Sequence, residues 1–184
     1  MGRGLSMKMR RTAGFTLIEV LITFLIVTVG LLGLAALQAQ TLRNQMESYQ
    51  RLQAAMLVSN MATRIRLNPS AAIAGSYPAG TAYGTDARPA DCATTRAMGD
   101  ICEWHDLISG ASVSSGGVAV GAPILARGCI STPDTSGDGT VITVSVAWQG
   151  LSPANTPGNT CGQGAFGEDE ELRRVIYRQV WVRG

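Results

Sequence analysis

Residues 14–37 read GFTLIEVLITFLIVTVGLLGLAAL, and this stretch decides the fold of the chain. From Phe15 to Leu37 the stretch holds a single charged residue, Glu19. At about 1.5 Å of rise per residue, a helix of this length spans roughly 35 Å, which is enough to cross a bilayer. Basic residues precede the helix and none follows it closely. This asymmetry predicts a cytoplasmic N-terminus, with everything downstream outside the inner membrane.

The helical pattern continues beyond the apolar run. From Leu42 to Ile65, apolar residues recur at steps of three to five with polar residues between them. Such spacing predicts an amphipathic helix with one apolar face. Because Asn68-Pro69 is a stop signal, we predict one continuous helix from Thr16 to Leu67.

Beyond the long helix, the pattern first predicts a loop and a short helix. Residues 69–91 are rich in Ala, Gly, Pro, Ser and Thr, which is typical of a loop that covers the domain or of a poorly ordered segment. A short helix is expected over residues 99–110, with Asp100 as its N-cap.

Two later segments alternate in the manner of β-strands. One is TVITVSVAWQ at 140–149, which follows the turn signal Asp138-Gly139, and the other is RRVIYRQVWV at 173–182. Weaker candidates lie at 118–126 and 128–131. A long helix followed by antiparallel strands predicts an α+β fold, with the helix packed on a small sheet.

None of the four cysteines lies in the apolar segment. An even number of cysteines in a domain outside the inner membrane suggests two disulfides, although four buried thiols are the alternative. Three pairings are possible. We favour Cys92–Cys102, because the two residues are close in sequence, and Cys129–Cys161, which would tie the middle strand to the final loop.

Glu19 is the residue that points to a function. A carboxylate within a membrane segment costs about 2.5–3.5 kcal/mol, so such a residue usually has a partner. Cleavage after Gly14 would remove the basic leader, retain the apolar anchor and free an α-amino group on Phe15. If a neighbouring subunit presented that amine to Glu19, the two opposite charges would attract in one register only.

This arrangement resembles the class III signal of type IV pilins and of their pseudopilin relatives. The resemblance implies a pilin-like fold and a prepilin peptidase that cleaves after Gly14 and N-methylates Phe15. It also implies that Glu19 acts in subunit assembly. The alternative is an ordinary uncleaved anchor that tolerates Glu19.

Within that family, residues 10–69 are most similar to PilV-type minor pilins. IVTVGLLGLAALQ at 26–38 resembles the VGLLGLAxLQ segment of that group, and MATRIRLNP at 61–69 is similar to a later motif. The resemblance implies a minor pilin that helps to initiate type IV pili with other minor pilins and the major pilin, supporting adhesion and twitching motility. Ala35-Ala36 stand where major pilins usually carry a proline, which weakens a role as the main subunit.

We therefore expect four segments: a cleaved basic leader (1–14), a transmembrane and pilus-core half of the helix (15–37), an amphipathic half (38–68) and a periplasmic α+β head (69–184). The chain would lie in the inner membrane with its head in the periplasm, and then in the pilus at the cell surface. Without the four basic residues of the leader, 11 basic residues face 13 acidic ones, a net charge of −2. Nucleic acid is therefore not an expected partner.

Two other functions stay open. A pseudopilin of a type II secretion system would share the signal, and a membrane-anchored binding domain that never polymerises would share the helix. An enzyme is the least favoured class, because no catalytic set of residues converges. Neither a cofactor nor a metal ion is expected.

Several polar features of the head are weighed and discounted. His105 lacks a nucleophile or further zinc ligands and is expected on a helix surface. Residues 134–139 have the wrong spacing for a calcium loop. The acids at 168–171 are expected to be solvated, with a contact to a neighbouring pilin as the alternative. Three tryptophans are expected in the core rather than in a ligand platform: Trp104, Trp148 and Trp181.

Overall fold

The computed structural model describes residues 14–85, 87–111, 113–116, 118–119, 121–136, 139–167 and 170–183. The chain divides into two compact units, one ending at Leu42 and the other beginning at Arg43. Helix α1, Leu17–Arg66, contributes to both units. Its ends differ from the predicted ones by a single residue each, which is within the usual ambiguity of helix boundaries.

In the N-terminal unit, the apolar residues of α1 are not buried by any other described residue of this chain. Every described residue from Gly14 to Leu42 is exposed. Within the described ranges, α1 is the one helix that is long and apolar enough to cross a membrane. Apolar surface of this extent is stable only if lipid or other protein covers it.

In the second unit, called the head below, one face of α1 forms the first layer of the core. Its buried residues recur at steps of three and four: Gln50, Ala54, Leu57, Val58, Met61, Ala62 and Ile65. This spacing places them on one side of the helix. A short helix, α2 at Pro69–Ile73, begins directly after the Asn68-Pro69 stop.

An antiparallel sheet forms the second layer. The strands in chain order are β1 Gly80–Tyr83, β2 Ser114–Ser115, β3 Val118–Ala119, β4 Arg127–Ile130, β5 Asp134–Ser136, β6 Gly139–Gln149 and β7 Arg173–Arg183. β6 lies at the centre of the sheet. It pairs with β7 along its whole length on one side, and with β4 and β5 on the other. β1 pairs with β4, while β2 and β3 form a separate ribbon.

The core lies between α1 and the inner face of the sheet. Ile142, Val144 and Val146 of β6 are fully buried there. Helix α3, Arg96–Ile108, adds Trp104, whose indole N–H donates to the carbonyl of Leu57 on α1 at 2.9 Å. Each fully buried large side chain stabilises the fold by about 1.5–3 kcal/mol.

Two disulfides join loops to this framework. Cys92 is bonded to Cys102 on α3, and Cys129 on β4 is bonded to Cys161 in the loop after β6. These are the pairs that the sequence analysis favours. The second disulfide packs with Ala147 as a small cluster separate from the main core.

The region between α1 and β4 differs from the sequence prediction. Residues 69–91, predicted as a loop, contain α2 and β1. The predicted N-cap of α3, Asp100, is wrong: the helix begins at Arg96, and the Thr95 hydroxyl accepts the Met98 N–H at 3.2 Å. Local composition favoured a loop because Gly and Pro disfavour both helices and strands, and tertiary packing overrides such local preferences here.

The strand predictions at 140–149 and 173–182 are confirmed, and β4 corresponds to the candidate at 128–131. In the candidate at 118–126, the described residues form a strand only at Val118–Ala119. Asp138, predicted in a turn, lies outside the described residues.

Trp104 and Trp148 are buried as expected, whereas the prediction for Trp181 is wrong. The Trp181 side chain is 52% exposed and the Arg183 guanidinium lies 4.6 Å from its ring centre. β7 is covered on one face only at this end, and Trp181 lies on the uncovered face.

Gly128 tests how tightly α3 packs on the sheet. A Cβ at Gly128 would lie 2.4 Å from Ile108 Cδ1 and 2.6 Å from the Trp104 ring, so Gly128→Ala forces buried side chains apart. We expect a loss of about 1–3 kcal/mol in the free energy of unfolding, measured by chemical denaturation of the full chain in detergent. Gly158→Ala is the matched control, because that glycine is exposed and has open space around it. Equal effects of the two substitutions would contradict this packing.

Candidate functional site

The N-terminal turn of α1 presents the segment that the sequence analysis singled out. Gly14 and Phe15 precede the helix, and Phe15 is 84% exposed. The Glu19 N–H lies 3.1 Å from the Thr16 carbonyl and 3.4 Å from the Thr16 hydroxyl, so Thr16 starts the helix. The Gly14–Phe15 peptide bond is thus an accessible bond in a non-helical segment.

Glu19 differs from every other polar side chain between Phe15 and Leu37. The Thr23 hydroxyl donates to the Val20 carbonyl at 2.8 Å, and the Thr28 hydroxyl donates to the Leu25 carbonyl at 2.9 Å. Such bonds satisfy a hydroxyl inside an apolar helix. The Glu19 carboxylate has no such partner among the described residues. It is the one group of this segment that needs a partner from outside the segment.

The chain itself offers little to neutralise Glu19. Its place in the first turn is favoured by the helix dipole, which contributes about 0.3–1 kcal/mol. Counting from Phe15, the first basic residue is Arg43, about seven turns beyond Glu19 along the helix. Among the described residues no cation lies near Glu19, so a compensating cation has to come from the segment before Gly14, from a freed N-terminus or from another molecule.

In the head, a polar cluster joins α1 to α3. Arg64 Nη1 lies 3.0 Å from Asp100 Oδ1 and 2.7 Å from Glu103 Oε2, and the Tyr77 hydroxyl donates to Asp100 Oδ2 at 2.8 Å. Burial alone would lower the pKa of Arg64, but its hydrogen bonds to Glu103 and Asp100 outweigh burial and raise that pKa. Burial, together with the bond to Asp100, raises the pKa of Tyr77 to about 12.

His105 is buried, so its predicted place on a helix surface is wrong. Its Nδ1 accepts the Gly84 N–H at 3.0 Å. The neighbouring Asp106 pairs with Arg88 at 2.8 Å, and these hydrogen bonds hold the pKa of the Asp106 carboxyl below its usual value. The alternation of polar and apolar residues along α3 did not show that β1 and its following turn cover this part of the helix.

The predicted solvated run of acids at 168–171 is only partly described, and the prediction is wrong for Glu170. Glu170 forms an ion pair with Arg173, whose side chain is 2% exposed. Arg173 also donates to the carbonyls of Cys161 at 3.0 Å and Pro157 at 3.1 Å. The pair therefore organises the loop that carries the second disulfide, a role that a run of charges in a sequence does not reveal.

The remaining candidates contribute no site. Asp134 lies exposed on β5, and part of the stretch 134–139 falls outside the described residues. In the part of the chain that the structure describes, no three side chains of His, Cys, Asp or Glu are placed to hold a metal ion.

A long N-terminal apolar helix, continued by a helix face packed on a small antiparallel sheet, is a pilin-like α+β arrangement. Residues 9–35 match the family model of the prokaryotic N-terminal methylation motif, which covers Gly14, Phe15 and Glu19. The match supports a type IV pilin-like or pseudopilin protein and does not extend into the head. The comparison with curated proteins found no match, and neither did the comparison with solved structures.

The Tyr77 cluster gives the head a specific alkaline response. The folded pKa of Tyr77 lies near 12, above the unfolded value of about 10. The stability from protonated Tyr77 is therefore complete below pH 10 and is lost as the pH rises towards 12. Subtracting the ultraviolet phenolate titration of Tyr77→Phe from that of the wild type isolates the Tyr77 signal. We expect this difference curve to have its midpoint near pH 12. A midpoint near pH 10 would show that the Tyr77 hydroxyl is neither buried nor bonded to Asp100 in solution.

Proposed function

We propose that this chain is a minor type IV pilin: an inner-membrane protein that is cleaved between Gly14 and Phe15, N-methylated on Phe15 and assembled into a pilus. Its partners would be a prepilin peptidase, other minor pilins and the major pilin. Its role would be to help initiate the filament and so to support adhesion and twitching motility. The observation that carries the proposal is the unpartnered Glu19 carboxylate in the first turn of an exposed apolar helix.

Cleavage would supply the missing cation. Hydrolysis adds water across the Gly14–Phe15 bond, leaving a carboxylate on Gly14 and an amine on Phe15. Methylation keeps this amine protonated and positive. In a bundle of such helices, the amine of one subunit would pair with Glu19 of a neighbour, and the exposed apolar surface from Leu17 to Leu37 would be covered by other helices. A charge pair in apolar surroundings has one favourable register, which would align the subunits.

Processing is tested first. We expect mass spectrometry of the protein from its own cells to find an N-terminus at Phe15 that carries a methyl group. Gly14→Val should leave the leader attached, because a larger side chain at the accessible bond obstructs the peptidase. If the isolated wild-type chain retained its leader, the pilin proposal would fail and an anchored domain would remain.

Assembly is tested by removing the charge at Glu19. We expect Glu19→Ala to be cleaved normally but to enter sheared pili at a level reduced about tenfold, since a neighbouring amine is left without its partner. Thr28→Val is the matched control, because the Thr28 hydroxyl bonds only to its own helix. Normal piliation and normal co-purification of other minor pilins with Glu19→Ala would count against the proposal.

The second candidate is a pseudopilin of a type II secretion system, and the methylation motif supports it equally. The two functions differ in what a deletion strain loses. Loss of pili and twitching with intact secretion favours the minor pilin. A secretion defect with normal pili favours the pseudopilin.

A further inference from the structure

One edge of β7 is open along the strand. β6 lies beside all eleven residues of β7, and within the described ranges no strand pairs with the other edge. The Ser131 N–H donates to the Thr143 carbonyl at 2.9 Å, so odd-numbered residues of β6 direct their peptide groups towards β4. Even-numbered residues of β6 therefore bond to β7. Because Val144 lies opposite Arg178, the odd-numbered residues of β7 direct their N–H and C=O groups outward.

This edge lacks two of the usual protections against strand pairing. The register between β6 and β7 is continuous from one end to the other, with no bulge, and β7 contains no proline. The outward peptide groups of Tyr177, Gln179 and Trp181 make no hydrogen bond to any described residue. Arginine side chains are the protection that remains, and they repel only segments that are themselves basic.

A groove runs beside this edge between α1 and β7. One cavity of about 460 Å³ is lined by Ala55, Val58 and Ser59 of α1 and by Ile176, Tyr177 and Arg178 of β7. It shares Ile176 with a second cavity of about 420 Å³ near Glu47 and Arg174. A strand added to β7 would extend the sheet over this groove, and every second side chain would point into it. The small side chains of Ala55 and Ser59 leave room for larger apolar ones.

The charges along the edge of β7 indicate which kind of segment can bind there. Arg173 and Arg174 are paired with Glu170 and Glu47, respectively. Arg178 and Arg183 face no carboxylate among the described residues: Arg178 Nη1 lies 3.5 Å from the Ser59 hydroxyl, and Arg183 stacks on Trp181. A second copy of β7 would bring like charges together, which is unfavourable in a strand pair.

We propose that the outer edge of β7 binds an extended acidic segment of a partner protein, which adds to the sheet as a further strand. Side chains of the segment that point into the groove contact Val58 and Ile176, and a carboxylate among them pairs with Arg178. Carboxylates on the opposite face of the segment pair with Arg183. The exposed rings of Tyr177 and Trp181 provide contacts on the opposite face. This surface is independent of the N-terminal processing and assembly proposed above.

The test uses the full chain in detergent micelles and two short synthetic peptides, one repeating Val-Val-Glu-Glu and the other repeating Val-Val-Lys-Lys, so that each face of the added strand carries both residue types. We expect the Glu peptide to bind about tenfold more tightly, because close opposite charges at an interface favour one partner over its charge-reversed form. We also expect it to slow hydrogen exchange at Tyr177, Gln179 and Trp181. Equal binding of the two peptides, or no binding of the Glu peptide, overturns the proposal.

Substitutions at two positions of β7 locate the binding to this edge. The Gln179 N–H points outward, so Gln179→Pro removes a free donor without removing a β6–β7 hydrogen bond, whereas Gln179→Ala keeps the donor. We expect the Glu peptide to bind to Gln179→Ala but not to Gln179→Pro. Arg178→Glu should shift the preference towards the Lys peptide, and it tests the site even if Gln179→Pro does not fold. Unchanged binding to both Gln179→Pro and Arg178→Glu would place the peptide elsewhere and overturn the proposal.

Discussion

The packing of one face of α1 against the inner face of β6 holds the head together. Met61 and Ile65 of the helix and Ile142 and Val144 of the strand are fully buried in this layer. The other elements build on it. α3 joins through Trp104, whose indole donates to a carbonyl of α1, and the loop after β6 joins through a disulfide on the other side of the sheet. Because β6 is central and paired along both edges, the sheet offers α1 a continuous apolar surface.

The two units differ in whether their acidic side chains have partners. In the head, four carboxylates that could otherwise be costly each meet a guanidinium: Glu47, Asp100, Asp106 and Glu170. In the N-terminal unit, the Thr23 and Thr28 hydroxyls bond to their own helix, and the Glu19 carboxylate has no partner among the described residues. These four acids have partners within the head, whereas Glu19 is left for another molecule to satisfy. This contrast supports the assembly role proposed for Glu19.

Two surfaces formed by described residues are open to partners, and they differ in chemistry. The apolar surface of α1 before Leu42 suits lipid or other apolar helices, because it offers apolar packing contacts and no hydrogen bonds. The edge of β7 offers unpaired peptide groups flanked by Arg178 and Arg183, which suits an extended segment of opposite charge. A subunit that uses both could be held in a bundle by its helix while its head binds a different kind of protein.

The local sequence pattern was sufficient to predict the features that depend on residues close together in the sequence. Periodicity determined the extent of α1 and of the two long strands, and the spacing of Gly14, Phe15 and Glu19 determined the candidate site, because both are properties of contiguous residues. The sequence left three disulfide pairings open. Only the tertiary structure decided that Asp100 binds Arg64 and Tyr77 and does not cap a helix. It also decided that His105 is buried and that Glu170 pairs with a buried arginine. Finally, it decided that Trp181 is exposed on an open edge of the sheet. Each of these depends on which distant segment covers a given face, and covering a face is a property of the packed chain that no local spacing of residues encodes.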